Sequence, residues 1–387
     1  MKLPLWRVCV LIVLGWVLQM GTTTAHAADA KEQRFLRLFG DAVILEEEGN
    51  YAGAEAKMSE ALRIKPGNPE ALYSRAFARH QQRRYKEALA DIDESLKARA
   101  DLRGYILRMN IRFALNDLAG ALADADTVLW ENAEAHEIRK ARAHIYARQG
   151  KHSLAIEEFR RLKADQLDDH SIAVRADSEL ALGKNFEAKL SLQRLLNSKP
   201  NDPWVHYRLG HAHFALQEFK ESIAVQQKAE SLKANRGDTQ RSIGYCYYGM
   251  GDYTRAIESL KRAVAAQPTM TPYAYMVLHL AVRRAGRALT ESPLREAMIK
   301  WESAWPKSIA RYLLGELSDR KLVDEAMAAK DKKRRDEQLC EAYYYIGAKR
   351  HSESDTVAAE VFFERVLGTR ASSFIEYTFA RAELRRR

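Results

Sequence analysis

A small residue returns seven times in this chain at intervals of 33 or 34, as Ala54, Ala88, Ala121, Ala155, Ala188, Ser222 and Ala256. A fixed interval of that size marks a stack of supersecondary units, each made of two helices and a turn. Twelve residues before each marker sits a second small or slender residue: Ala42, Ala76, Met109, Ala143, Ala176, Gly210 and Gly244. Antiparallel helices approach closely only where the crossing residues are small, so each such couple reads as the crossing point of one helix hairpin. A lone hairpin cannot bury its apolar face, whereas stacked copies share one continuous core. Tyr51, Tyr85, Leu118, Phe219 and Tyr253 hold a third position of the pattern, with His152 and Asn185 as departures. Pro66, Pro200 and Pro268 close three of the units, because proline cannot continue a helix.

Phased on the markers, the units run 35–68, 69–101, 102–135, 136–168, 169–202, 203–236 and 237–270. The clearest one reads from Asp238 through Gly244, Gly251, Tyr253 and Ala256 to Leu260, Ala263 and Pro268. Residues 35–270 resemble the tetratricopeptide repeat family. That resemblance implies an all-α fold, a right-handed superhelical α-solenoid of helix-turn-helix repeats with a helical C-terminal cap. Within the units Arg75 precedes Asp91, Arg108 precedes Asp124 and Arg142 precedes Glu158, each by sixteen residues. These are expected as ion pairs clipping the hairpins, worth only ~0.2–1 kcal/mol each if exposed.

The first residues stand outside the pattern. A basic head, Met1 to Arg7, precedes an uncharged apolar run from Val8 to Met20, and Ala25-His26-Ala27 offers a cleavage site. Residues 1–27 read as a secretory signal peptide, with 28–34 as a linker, and a run of 13 is short for a membrane span. Membrane association is expected only if that segment stays uncleaved. Cys9 lies inside the apolar run, so it is no lipid-attachment site. Without residues 1–27 the chain keeps 60 basic against 52 acidic residues, with mixed signs along the helices and no nucleic-acid signature. Two remaining cysteines, Cys246 and Cys340, make no disulfide framework. Cys246 falls on a packing position and reads as a buried thiol, a bridge to Cys340 being the alternative. A secreted chain without lipid site or disulfide framework is expected in the periplasm.

After Pro268 the period lapses, and 271–339 reads as irregular helices interrupted by Pro293 and Pro306. A final unit returns in phase at 340–387, with Cys340, Tyr343, Ile346 and Gly347 followed by Ala359, Phe363 and Val366. A closing helix around Phe374 to Leu384 is expected to cap the stack. The Trp305-Pro306 pair, Leu314-Gly315-Glu316-Leu317, the run from Cys340 to Gly347 and the Phe374-Ile375-Glu376-Tyr377 stretch resemble the NlpI type of bacterial envelope repeat proteins. That type consists of dimeric adaptors bringing envelope proteases and peptidoglycan hydrolases to their substrates. That type is lipid-anchored, and with no cysteine placed to take the lipid, no such anchor is expected here.

No phosphate loop, nucleophile elbow or metal-protease motif occurs, and neither cofactor nor metal is expected. His206, His211 and His213 share one helix without an i,i+4 pair or neighbouring acid, so His206 and His213 read as packing residues. Function is therefore sought on the surface. In the repeat family the first helix of each unit lines a concave groove. Carried onto this chain, that nominates Tyr73, Phe77, Asn110, Phe113, Lys140, Trp204, Tyr207, His211, Phe214, Arg241, Tyr245 and Tyr248, with His80, Ile106 and His144 beside them. Aromatics with Arg241 and His211 suggest a peptide with an acidic or amphipathic side. The sequence thus points to a non-enzymatic periplasmic scaffold binding envelope proteins, and the resemblance implies a homodimer. A periplasmic component of a polysaccharide or protein export machine is the alternative. A third reading, a cell-wall or glycan hydrolase, would need Glu291, Glu296, Glu302 and Asp319 in 271–339.

Overall fold

The computed structural model describes residues 23–267 and 272–386, so the expected signal segment up to position 22 and Pro268 lie outside the described residues. Among the described residues there are 21 α-helices, two short 3-10 turns and no strand. The chain divides into two compact units, Met1–Ile145 and Tyr146–Arg387.

The first unit holds α1 (Thr23–Glu47), α2 (Tyr51–Ile64), α3 (Pro69–Gln81), α4 (Tyr85–Ala98), α5 (Leu102–Ala114), α6 (Leu118–Glu131) and most of α7 (His136–Arg148). Residues 28–34, expected as a linker, lie within α1. The stretch from Asp29 to Arg34 contains only Asp, Ala, Lys, Glu, Gln and Arg, with no Gly or Pro to stop a helix. The second unit holds α8 (His152–Arg160), α9 (Asp169–Ala181), α10 (Asn185–Ser198), α11 (Pro203–Ala215), α12 (Phe219–Ser231), α13 (Arg236–Met250) and α14 (Tyr253–Ala266). It continues with α15 (Pro272–Arg284), α16 (Leu294–Ile299), α17 (Ala304–Leu313), α18 (Asp319–Met327), α19 (Lys332–Ser352), α20 (Thr356–Gly368) and α21 (Ile375–Arg385).

All fourteen periodic small positions are buried. The crossing is direct in the sixth repeat, where Ser222 Oγ donates to the Gly210 carbonyl at 2.7 Å. In the seventh, a Cβ on Gly244 would lie 2.6 Å from Leu260 Cγ, so the close approach excludes even alanine without a shift. A second beat accompanies the first. Gly49, Arg83, Asn116, Gly150, Gly183, Gln217 and Gly251 all have φ between 61° and 82°, and each forms the tight turn between the two helices of its repeat. Three of the seven are not glycine, so the turn is imposed by packing of the helices rather than by local preference.

Two of the expected clips form, and their burial makes them stronger than exposed pairs. Asp91, 4% exposed, accepts from Arg75 at 2.7 and 2.9 Å and from Arg79 at 2.7 Å. Asp124, 2% exposed, accepts from Arg108 at 2.7 Å and from Arg112 at 2.9 Å. The third expected pair takes one member from each unit; within its own unit Arg142 bonds Asp126 at 2.8 Å. In the fifth repeat the acid has moved to the other helix: Arg175 and Ser191 both donate to Glu179, each at 2.8 Å.

Beyond the seventh repeat, α15 is buried without interruption from Ala274 to Val282, packed against α14, α17 and α19. A helix apolar all round belongs inside a core, which explains why no period is visible in its sequence. The final unit begins earlier than position 340: α19 starts at Lys332, capped by Asp331 accepting from the Arg334 amide at 2.8 Å. It is an eighth hairpin of the same build. Gly347 and Ala359 form the crossing, with a Gly347 Cβ only 3.1 Å from the Ala359 carbonyl, and Ser354 takes the left-handed turn at φ 67°. The closing helix α21 packs on α19 and α20 as a cap should, and it also crosses the first helices of repeats six and seven, α11 and α13. Among the described residues both cysteines, Cys246 and Cys340, are free and buried, and Cys246 donates to Ser222 Oγ at 3.2 Å.

Candidate functional site

Five of the twelve candidate groove residues belong to the first unit. There Tyr73 is half-buried with the Arg103 guanidinium over its ring at 5.4 Å, and Phe77 meets Tyr51 edge-on at 6.2 Å. Phe113 is half-buried and packs on the cluster of Met109, Val128 and Ile145. Asn110 is exposed. Lys140, expected as a groove cation, is instead buried at 8% exposure and pairs with Glu137 at 2.8 Å. Its four methylenes pack with the hairpin while the ammonium is held by a residue one turn away.

The second unit brings four of the other seven together. His211 and Phe214 from α11, and Arg241 and Tyr245 from α13, line a cleft of about 420 Å³. Its remaining wall was not foreseen: Tyr273 from α15, Glu341 from α19, and Phe374, Ile375 and Glu376 from the start of α21. Tyr207 stands behind the cleft, accepting from Arg241 Nη2 at 3.3 Å, whereas Trp204 carries Arg208 over its ring at 5.7 Å. Tyr248 is no groove residue. It is fully buried beneath α21, where Phe379 packs against Tyr248, Phe214, Tyr344 and Tyr245 at centroid distances of 5.0, 5.5, 5.6 and 5.8 Å. Tyr245 is also largely enclosed, and burial pushes its phenol well above the usual range. The groove of repeats six and seven is therefore partly filled by the chain's own α21, leaving the cleft beside that helix.

The cleft carries acids as well as the expected Arg241 and His211. Arg241 is held by Asp238 at 2.9 Å as well as by Tyr207. Burial, with the cations of Arg208 and Arg241 nearby, lowers the His211 imidazole to about 3, so it is neutral. On the opposite wall Glu341 and Glu376 are 5% and 1% exposed. Tyr345 donates to Glu376 at 3.1 Å, and Trp305 and Tyr273 hydrogen-bond Glu341. Burial raises both carboxyls above the ordinary carboxylate range, and the Glu341 charge raises Glu376 further. Two acids, each sitting alone among apolar and aromatic neighbours in the Cys340–Ile346 and Phe374–Tyr377 stretches, were the sequence signal for this wall.

His206 and His213 are buried as packing residues, the first bonding the Pro200 carbonyl at 2.9 Å; the second has a neighbouring acid that the sequence reading did not count, Glu218 at 2.5 Å. Among the described residues no three of His, Cys, Asp and Glu gather as a metal site would require. No described helix is long and apolar enough to cross a membrane. Of the acids named for a hydrolase, Glu291 pairs with Lys261 at 2.9 Å, and Asp319 with Arg350 at 2.7 Å and Tyr312 at 2.9 Å.

A stack of helix hairpins with crossings of small residues and a lined cleft defines a helical-repeat protein of the protein-binding scaffold type. Models of the tetratricopeptide repeat match residues 39–102, 108–169, 174–238 and 242–270, together more than half of the chain, and the protein belongs to that family. The eighth hairpin lies beyond those matches. A curated relative, the photosystem I assembly protein Ycf3 of Prochlorococcus marinus, is 24% identical over 126 residues, covering 30% of this chain and 70% of its own. Among solved structures, the C-terminal part of a tetratricopeptide repeat-containing protein from Cytophaga hutchinsonii is similar with a TM-score of 0.50 at 18% identity. It covers 62% of this chain and 99% of that one. A tetratricopeptide repeat protein from Parabacteroides merdae has a TM-score of 0.45 at 18% identity, covering 65% of this chain and 99% of its own.

Proposed function

We propose that the protein is a non-enzymatic adaptor of the bacterial periplasm, which holds an envelope protein by a peptide segment in the cleft between α11, α13 and α21. The observation that carries this reading is the cleft itself: a concave site in which the rings of Phe214, Tyr245, Tyr273 and Phe374 alternate with polar groups, built where the repeat family offers its binding face. The leader-like residues 1–27 support the periplasmic location, and the likeness of residues 301–386 to envelope adaptors supports proteases and cell-wall hydrolases as partners. Homodimerisation is part of the same proposal, and light scattering showing only monomer would remove it. Fusion of residues 1–40 to a reporter active only outside the cytoplasm tests the location.

Photo-crosslinking tests the site. A benzophenone amino acid at position 211, inside the cleft, is expected to capture partners in envelopes that the same group at the exposed position of Arg320 does not. Proteases or cell-wall hydrolases among them support the adaptor, and export components the alternative. Identical adducts from both positions would remove the cleft from the binding surface.

A further inference from the structure

The cleft has an unbalanced charge. Its one cation, Arg241, is already satisfied by Asp238, and its imidazole is neutral. The donors to Glu341 and Glu376 are one indole, Trp305, and two phenols, Tyr273 and Tyr345, none of which carries positive charge. Buried carboxyls without a counter-cation are costly, and a structure that keeps two of them facing a cleft has left room for a cation to arrive from outside. A second observation points the same way. His211 Nε2 is buried at the cleft with no hydrogen-bond partner, and a neutral imidazole nitrogen can accept from a ligand N–H. The aromatic faces of Phe214, Tyr245, Tyr273 and Phe374 complete a wall suited to a cationic group.

Resting on the reading of the cleft as a peptide site, we infer that its ligand presents a lysine or arginine side chain to the Glu341–Glu376 pair. This reverses the acidic partner suggested by Arg241 and His211 alone. A cation entering beside the pair favours its ionised form, so binding releases a proton, and affinity rises with pH until the unliganded pair, held above the ordinary carboxyl range, is itself ionised. The other groups facing the pair do not provide that response. Burial drives Tyr245, Tyr273, Tyr344, Tyr345 and Cys340 upward and away from it, His211 stays neutral, and Glu337 adds one more negative neighbour.

The test uses the full chain, immobilised and offered a random decapeptide display library at pH 7. Each enriched peptide is then remade with its basic residue kept, changed to Nε-acetyllysine, or changed to glutamate, and titrated by fluorescence anisotropy. The expected result is a loss of about 10–100-fold on acetylation and no measurable binding with glutamate. Glu341→Gln and Glu376→Gln are expected to shrink the preference for lysine over acetyllysine while the melting temperature stays or rises, which excludes unfolding as the cause. Calorimetry in buffers of different ionisation enthalpy should register proton release for the lysine peptide only. Enriched peptides without basic residues, or with undiminished affinity after acetylation, overturn this inference and leave the peptide site standing. Free n-butylamine binding as tightly as the best peptide also overturns it. If no peptide is enriched, the peptide site falls and this inference with it.

Discussion

Replacing Phe379 by alanine probes the most unusual element of this molecule, a helix of the chain laid across its own repeat groove. The ring is fully enclosed and meets four other aromatic rings at 5.0–5.8 Å. A buried phenylalanine removes ~150–250 Å² from water, which at ~25 cal/mol per Å² is about 4–6 kcal/mol. The alanine left behind retains a little of that, and partial collapse around the cavity recovers some more, so about 3–5 kcal/mol of destabilisation is expected. In a stacked array the loss is felt by the neighbouring hairpins rather than evenly. Hydrogen exchange resolved by peptide should therefore rise in α21, α13 and α19, with α2 to α6 as the internal reference, and the thermal transition of the second unit should fall. A loss below about 1 kcal/mol, or unchanged exchange in α13, would refute the placement of α21 against the repeats. Phe374→Ala, at a half-buried position on the cleft rim, is the control and should cost much less.

Three further outcomes follow from residues already described. Glu376→Gln should stabilise the protein above pH ~6, because the native state holds that proton more tightly than the unfolded chain does. Its penalty is absent below the ordinary value of 4.5 and grows as pH rises, so melting curves of the two proteins should converge in acid; convergence at alkaline pH instead would reverse the sign. Asp124→Ala removes the buried acceptor shared by Arg108 and Arg112, leaving the first to Asp93 and the second to the Gly120 carbonyl, and should cost about 1–3 kcal/mol by denaturant titration, beyond a surface pair. At the left-handed turns, Arg83→Gly should gain about 1 kcal/mol, whereas Gly49→Ala should lose a similar amount although a Cβ there meets nothing within 4 Å.

The repeat architecture was legible because its cause is local and recurrent: a crossing that admits only small side chains prints the same residue type every 33 or 34 positions. The clips at Asp91 and Asp124 were legible for the same reason, although their burial, and so their worth, was not. The turn beat at Gly49, Arg83 and Gln217 escaped notice because three unlike residues satisfy one backbone conformation. The site was half legible. His211, Phe214, Arg241 and Tyr245 come from the repeats and share their phase, but Tyr273, Glu341 and Glu376 come from elements that are not periodic. Their meeting depends on α21 folding back onto α13, a contact between residues more than a hundred positions apart that no local pattern encodes. The acids of the site went unseen for the same reason, since they arrive with those elements.

The aromatic cluster around Phe379 also sets an order of events. Phe214, Tyr245 and Tyr248 are synthesised well over a hundred residues before the ring that covers them. Until residues 375–385 emerge, the nascent stack presents an open aromatic trough, the kind of surface that chaperones hold and proteases find. Docking of α21 seals that trough and builds the cleft in one step. A chain cut short before position 375 would therefore not be a weaker binder with a damaged site. It would be a sticky, unfinished surface marked for removal, and completion of the fold and acquisition of the binding site would be the same event.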